Sequence, residues 1–304
     1  MVSEVWRGAL GALTSPPGLA SHGGVPRLAF AKYQGLGNDF IVVEGTFITP
    51  AAAARLCHRR RGIGADGVLT VLPPRHPEAA ARMHVYNADG SVAEMCGNGL
   101  RCVVRHLLAA RGGDRVAVDT DAGVLEGWQD GEDIAITLGE ARLISDAIPG
   151  CGPRGLGLGI SMGNPHLVLP PAAHAPRPDA EAQGPGLERH PDFPQRVNVG
   201  FPELLGPHHL RLVVFERGSG ITDACGTGAG AAVTALTRAG HLEPGAEITV
   251  ELPGGPLRVR LTGDPRAEAA PGAALARVII AGEAVRVYEG AVDLAVDELA
   301  DHAG

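Results

Sequence analysis

Lysine is nearly absent from this 304-residue chain: Lys32 is the only one, although Lys and Arg together number 26. A pyridoxal phosphate enzyme needs a lysine for its Schiff base. Lys32 lies five residues before Gly37 at a strand entry, with no phosphate-cradling motif beside it, so the sequence argues against that cofactor. Aromatic residues are only 4%, so a core drawn from the 45% hydrophobic residues must be built of Val, Leu, Ile and Ala. No apolar run reaches the roughly 20 residues of a membrane span, and Met1 to Gly24 contain no secretory apolar stretch. Clustered positive charge is lacking too. The net charge is −8 and Arg59–Arg61 is the only basic run, which argues against a nucleic-acid footprint. The chain therefore reads as cytoplasmic, with neither membrane nor nucleic acid as a partner. Its five cysteines (57, 96, 102, 151 and 225) are odd in number, with no CxxC pair or Cys/His cluster. They form neither a disulfide framework nor a zinc site, and no metal is expected.

What the chain does have is an internal repeat. Gly37-Asn38 precedes the apolar run Phe40–Val43, and Gly163-Asn164 precedes Leu167–Leu169. Later in each half come Cys96-Gly97-Asn98-Gly99 and Cys225-Gly226-Thr227-Gly228. Counting from each cysteine, apolar residues fall at the same offsets: Leu100, Val103, Val104 and Leu107, then Ala229, Ala232, Val233 and Leu236. That spacing predicts an amphipathic helix opening just past the glycines. Apolar runs precede both cysteines, at Met83–Tyr86 and Leu210–Phe215. Further short β-branched runs, such as Val68–Leu72, Ile248–Leu252 and Val278–Ala281, predict strands. Many strands and one long buried helix per half imply a sheet curled around a helix, twice; a doubly wound fold would need more crossover helices. Turn residues gather near Gly139–Gly152, where we place the domain junction, and the Pro/Ala-rich stretches 170–185 and 264–274 read as surface loops.

A cysteine immediately before a helix sits where unpaired N–H groups and the positive end of the helix dipole converge, which favours thiolate. One such cysteine suits a thiol nucleophile, or equally a buried structural residue in a tight turn. Two copies in a duplicated chain suit something else. A carbon acid held between them would lose a proton to one thiolate and gain one from the opposite thiol, inverting its stereocentre. The helix N-termini would hold its carboxylate and stabilise the charge that develops. A thiol hydrolase needs a histidine base, and none of the 12 histidines repeats near both cysteines.

Six segments then carry a resemblance: Gly35-Leu36-Gly37-Asn38-Asp39-Phe40; Gly62-Ile63-Gly64-Ala65-Asp66-Gly67; Asn87-Ala88-Asp89-Gly90-Ser91 leading to Cys96–Gly99; Met162-Gly163-Asn164-Pro165-His166; Val197-Asn198-Val199-Gly200-Phe201; and Glu216-Arg217-Gly218 leading to Cys225–Gly228. In this order and spacing the chain resembles the diaminopimelate epimerase family from about Leu28 through Leu294. The resemblance implies an α+β fold of two pseudo-symmetric domains, each a mixed sheet or barrel wrapped around a central helix. It implies domains at 28–140, with a returning strand at 283–294, and at 141–282. Residues 1–27 would be an extension, disordered or a non-native start, with Val25 as the true first residue. The activity implied is cofactor-independent interconversion of LL- and meso-diaminopimelate, a late step toward lysine and peptidoglycan, by a homodimer. Cys96 and Cys225 would be the acid–base residues, Cys96 serving the LL face. Asn38, Asn87, Asn164, Asn198, Glu216 and Arg217 would contact substrate, and Gly97-Asn98 and Gly226-Thr227 would offer amides to the reacting carboxylate. The residue types agree: Arg217 can clasp a carboxylate and Glu216 an ammonium, as a substrate with a second amino-acid end requires. Taken singly, each asparagine also suits a turn, and Glu216-Arg217 a surface ion pair. Asn87 and Glu216 each stand nine residues before their cysteine. Proline racemases and phenazine-biosynthesis isomerases share this architecture and are the alternative enzymes; a metabolite-binding protein without activity is the alternative of another class.

Overall fold

The structure, a computed structural model, describes residues 27–151 and 155–300. Residues 1–26 of the expected extension lie outside the described residues, and the first strand begins at Arg27. The chain divides into two compact units: the described residues up to Ile134 together with those from Glu283 on, and Ala135–Gly282. The expected junction, near Gly139–Gly152, begins within a strand. Residues Asp133–Ile148 form one strand, which runs through Gly139 at φ 90°.

The first unit is a mixed sheet. The strand Val285–Asp293 pairs antiparallel with Arg27–Gly35, which pairs antiparallel with Asn38–Glu44. Next come Gly67–Leu72 (parallel), Ala81–Asn87 (antiparallel), Arg115–Thr120 (parallel) and Gly123–Asp130 (antiparallel). In the second unit the strand Asp133–Ile148, which enters it at Ala135, pairs antiparallel with Gly157–Ser161, and that strand antiparallel with Pro165–Val168. The senses then repeat those of the first unit through Asn198–Gly206, His209–Glu216, Glu247–Leu252 and Gly255–Thr262. Ala274–Gly282 pairs with Gly255–Thr262 on one side and Asp133–Ile148 on the other, so this ring of strands closes. Closure leaves no edge to protect.

Each sheet packs on one long helix. Gly97–Arg111 contacts strands of the first unit, Gly226–Arg238 those of the second, and both have buried apolar faces where the periodicity put them. Val103, Val104 and Leu107 are buried in one; Ala232, Val233 and Leu236 in the other. The two-domain, strand-rich α+β architecture with a central helix in each unit is therefore as the sequence led us to expect.

Two short helices were not expected. Pro50–Cys57 is capped by Thr49, whose hydroxyl accepts from the Ala52 N–H at 3.2 Å, and it buries Ala52, Ala53, Leu56 and Cys57. Arg177–Leu187 lies largely inside the stretch read as a loop. Its Pro178 sits in the first turn, where no backbone N–H is needed. Its buried face is Ala180, Gly184 and Leu187; a Cβ on Gly184 would fall 2.4 Å from the Phe215 ring, so the backbone itself packs against that ring. Helical spacing written in small residues and prolines does not stand out as apolar periodicity.

Candidate active site

In both units the cysteine is the N-cap. Cys96 has φ −137° and ψ 112°, and Cys225 φ −127° and ψ 100°, extended conformations that turn the chain into the helix. Each cysteine carbonyl accepts the first helical bond, from Leu100 N at 2.8 Å and Ala229 N at 2.9 Å. The residues between begin the helix, so their N–H groups have no intrahelical acceptor. Cys96 Sγ accepts from the Gly99 N–H at 3.4 Å, and Cys225 Sγ lies 3.6 Å from Thr227 Oγ1. The glycine three residues after each cysteine is closely packed. A Cβ on Gly99 would fall 3.0 Å from Leu69 Cδ2, and one on Gly228 2.8 Å from Val214 Cγ2 and 3.2 Å from the Cys225 sulfur.

Around Cys96 the structure joins two of the expected substrate residues directly. Asn98 Nδ2 donates to Asn38 Oδ1 at 2.6 Å, and Asn38 Nδ2 reaches Asp66 Oδ2 at 3.4 Å. Behind Asn98 stands Arg101, fully buried, whose Nη2 donates to Asn98 Oδ1 at 3.0 Å. Asn87 is placed differently. It is exposed, its Nδ2 donates to Ser91 Oγ at 3.0 Å, and no hydrogen bond ties it to Asn38 or Asn98. Lys32 is buried, its ammonium 2.7 Å from Asp39 Oδ2 and also donating to the Gly64 carbonyl. Burial works against ionising Asp39, but hydrogen bonds from Arg59 and Lys32 outweigh it and hold that carboxyl well below its usual range.

Around Cys225 the helix start alone does not decide the thiol's chemistry. Burial first, and the Glu216 carboxylate second, push the Cys225 thiol well above its ordinary value, against the hydrogen bonds from Thr227 and Gly228. The expectation that the helix start lowers both thiols therefore fails at Cys225, because desolvation and a neighbouring carboxylate both oppose thiolate. Glu216 also accepts from Thr222 Oγ1. Asn198 is buried and braces the site: its Oδ1 accepts from Arg217 N at 2.9 Å, and its Nδ2 donates to the Pro165 carbonyl at 3.2 Å. The Arg217 side chain is exposed; among the described residues its guanidinium donates to the Gln195 carbonyl, at 3.3 Å, and pairs with no carboxylate. The surface ion pair with Glu216 is thus not what the structure contains. Asn164 Oδ1 lies 3.0 Å from His166 Nε2. Burial, with Arg217 nearby, pulls His166 down to about 3, so the ring is neutral. An amide oxygen only accepts, so Nε2 carries the proton.

Cys57, Cys102 and Cys151 are buried free thiols; burial raises Cys57 to about 11 and Cys102 to about 12. Among the described residues no group of three or more His, Cys, Asp or Glu is placed to hold a metal ion, and no helix is long and apolar enough to cross a membrane. Sequence reasoning missed Arg101, His166 and Asp66 as partners of the expected residues. All three lie in or beside the motifs quoted, but only side-chain geometry shows whom they serve.

The family model for diaminopimelate epimerase matches residues 30–144 and 159–274. A diaminopimelate epimerase of Thermosynechococcus vestitus is 42% identical over 264 residues, covering 77% of this chain and 91% of that protein. That of Azotobacter vinelandii is 41% identical over 290 residues, covering 88% and 99%. Among solved structures, a hydroxyproline epimerase of Agrobacterium vitis superposes with a TM-score of 0.63 at 18% identity, covering 88% of this chain and 92% of that one. A PhzF-family phenazine biosynthesis protein of Bacillus anthracis gives 0.63 at 18%, covering 88% and 99%. At such identities the structural likeness speaks for the fold alone.

Proposed function

From the premise that the chain belongs to the diaminopimelate epimerase family, we propose that it interconverts LL- and meso-diaminopimelate, with Cys96 and Cys225 as its acid–base pair and no cofactor. The observation that carries the reading is the repeated one: each unit presents a thiol as the N-cap of its central helix, followed by N–H groups without helical acceptors. The thiolate on one side takes the α-proton and becomes a thiol. The thiol on the other side delivers its proton to the opposite face of the carbon and becomes thiolate. The stereocentre inverts and the two cysteines exchange protonation states. The amides at Gly97-Asn98 and Gly226-Thr227 hold the α-carboxylate, where the N–H groups of a helix start favour an anion and stabilise the charge that builds as the proton leaves.

The distal amino-acid end goes to Arg217 and Glu216, with Asn38, Asn87, Asn164 and Asn198 completing the contacts. Arg217 supports this role because its planar fork is not engaged by any carboxylate among the described residues. Cytoplasmic location and a homodimer belong to the same proposal; sedimentation of the purified protein tests the second. The deciding experiment is incubation with each diaminopimelate stereoisomer in D2O, without added metal or pyridoxal phosphate, following α-deuterium uptake and the isomer ratio. Deuterium uptake with inversion at one centre is expected. Loss of activity on dialysis against a chelator, or turnover of proline in place of diaminopimelate, overturns the reading.

A further inference from the structure

Arg101 is a cation in the interior of the first unit, with relative exposure 0%. Among the described residues it has no carboxylate in an ion pair. Its partners are an amide oxygen and a carbonyl: Nη2 donates to Asn98 Oδ1 at 3.0 Å and Nε to the Glu283 backbone at 3.3 Å, while Nη1 has no partner. The space it fills is built for it. A Cβ on Gly35 would fall 3.1 Å from the Glu283 carbonyl and 3.4 Å from Arg101 Nη2. Burial outweighs Asp133 and Glu283, which act on it only from a distance, and a buried charge with no carboxylate in contact is costly. An apolar side chain would fill the same volume without that cost, so filling space does not explain the arginine.

The hydrogen bonds suggest what does. A guanidinium only donates and a carboxylate only accepts. Between Arg101 at one end and Asp66 at the other lie two amides, Asn98 and Asn38, linked at 2.6 Å, with the longer 3.4 Å step on to Asp66. The ends give the chain one direction. Were Asn98 turned over, its Nδ2 would face the Arg101 donor, and its Oδ1 would face the Asn38 oxygen. We infer that Arg101 is a positioning residue for substrate binding: it fixes the amide orientation of Asn98 and, through it, of Asn38, so that each presents its remaining N–H to a substrate carboxylate. The inference rests on the epimerase reading, in which both asparagines contact substrate. The other unit has no such device. Thr227 stands where Asn98 does, with a hydroxyl that rotates to suit its partner, and Gly230 stands where Arg101 does. A Cβ on Gly230 would already fall 2.8 Å from Val278 Cγ1.

The test compares Arg101→Lys, Asn98→Asp and the double variant with the wild-type protein in the diaminopimelate assay. Lysine keeps the charge but cannot donate in the plane to both Asn98 and Glu283. Aspartate at 98 still accepts from Arg101 but offers no N–H to Asn38. Each single variant raises KM roughly tenfold or more, with a much smaller change in kcat. The double variant is no worse in KM than Asn98→Asp alone, because both changes break one chain. A wild-type KM in either single variant, or effects that multiply in the double, overturns the inference; so does a lower Tm with KM unchanged, which marks a purely structural arginine. If Arg101→Lys does not fold, Arg101→Met, which fills the space without a donor for Asn98 Oδ1, takes its place in the same comparison. Wild-type turnover tests the epimerase reading separately. If that fails, side-chain amide NMR still tests the positioning: the Asn98 NH2 pair is sharp and protected in wild type and averaged in Arg101→Lys. An unchanged pair sinks it.

Discussion

The two units share a backbone plan and differ in what surrounds their thiols. In the first, Cys96 is partly exposed and Arg101, five residues on, interacts electrostatically with it from the interior. In the second, Cys225 is buried beside the Glu216 carboxylate, and the position of Arg101 belongs to Gly230. A duplicated helix start supplies the same N–H groups twice, so the local backbone does not tell the thiols apart. The charges brought beside them do. Inverting one stereocentre needs a base and an acid at the same moment, and unlike surroundings on like backbones suit that need.

If both thiols take part, each is indispensable despite those different surroundings. Cys96→Ser and Cys225→Ser should each lower epimerisation by about a thousandfold or more, since a hydroxyl neither ionises nor transfers protons in the thiol range. A chiral separation of products measures this, and one variant that keeps appreciable turnover would reduce the pair to a single working thiol. The next contrast is distal. Arg217 has Ala88 at the matching place in the first unit, so only the second unit offers a fork there. Arg217→Lys should cost roughly 10- to 100-fold in kcat/KM; wild-type kinetics would leave Arg217 as a loop residue.

A third prediction concerns what the units have in common. Gly228→Ala puts a methyl 2.8 Å from Val214 and 3.2 Å from the Cys225 sulfur, whereas Gly99→Ala meets Leu69 at 3.0 Å. Both should destabilise, by about 1–3 kcal/mol, Gly228→Ala more, read as the shift in urea midpoint. Equal midpoints for variants and wild type would mean that the helix starts have room to spare.

The smallest effect sharpens the electrostatic contrast. A thiol raised by burial and Glu216 is less ionised at pH 8 than a free thiol near 8.5. Iodoacetamide should therefore label Cys225 slowly, its rate climbing only at higher pH, and Glu216→Gln should speed labelling several-fold at fixed pH. The linked stability has a definite sign. With the folded value above the unfolded one, this contribution is complete below about 8.5 and declines as pH rises beyond it. Peptide mapping gives the rates; no change in Glu216→Gln would leave burial as the whole cause.

The central helices, their buried faces and most strands were legible because a period of 3.6 or 2 in apolar residues is a local property of the chain. The cysteines and the glycines behind them were legible because the same local pattern occurs twice. The helix Arg177–Leu187 was not, since its packing rests on Gly184 meeting Phe215, a residue far along the chain. The site shows the same limit. Asn38 and Asn98 stood in the motifs, but their joining across 60 residues did not. Nor did the placing of Asn87 in its own turn with Ser91. By itself the sequence determined the duplication, the two thiols at helix starts and the residue types around them, because each depends on neighbours in the chain. Only the tertiary structure decided that Arg101 lies buried behind Asn98, that His166 is neutral, and that Glu216 raises Cys225. Those follow from desolvation and from charges brought close by folding, which depend on distance in space and not on distance along the chain.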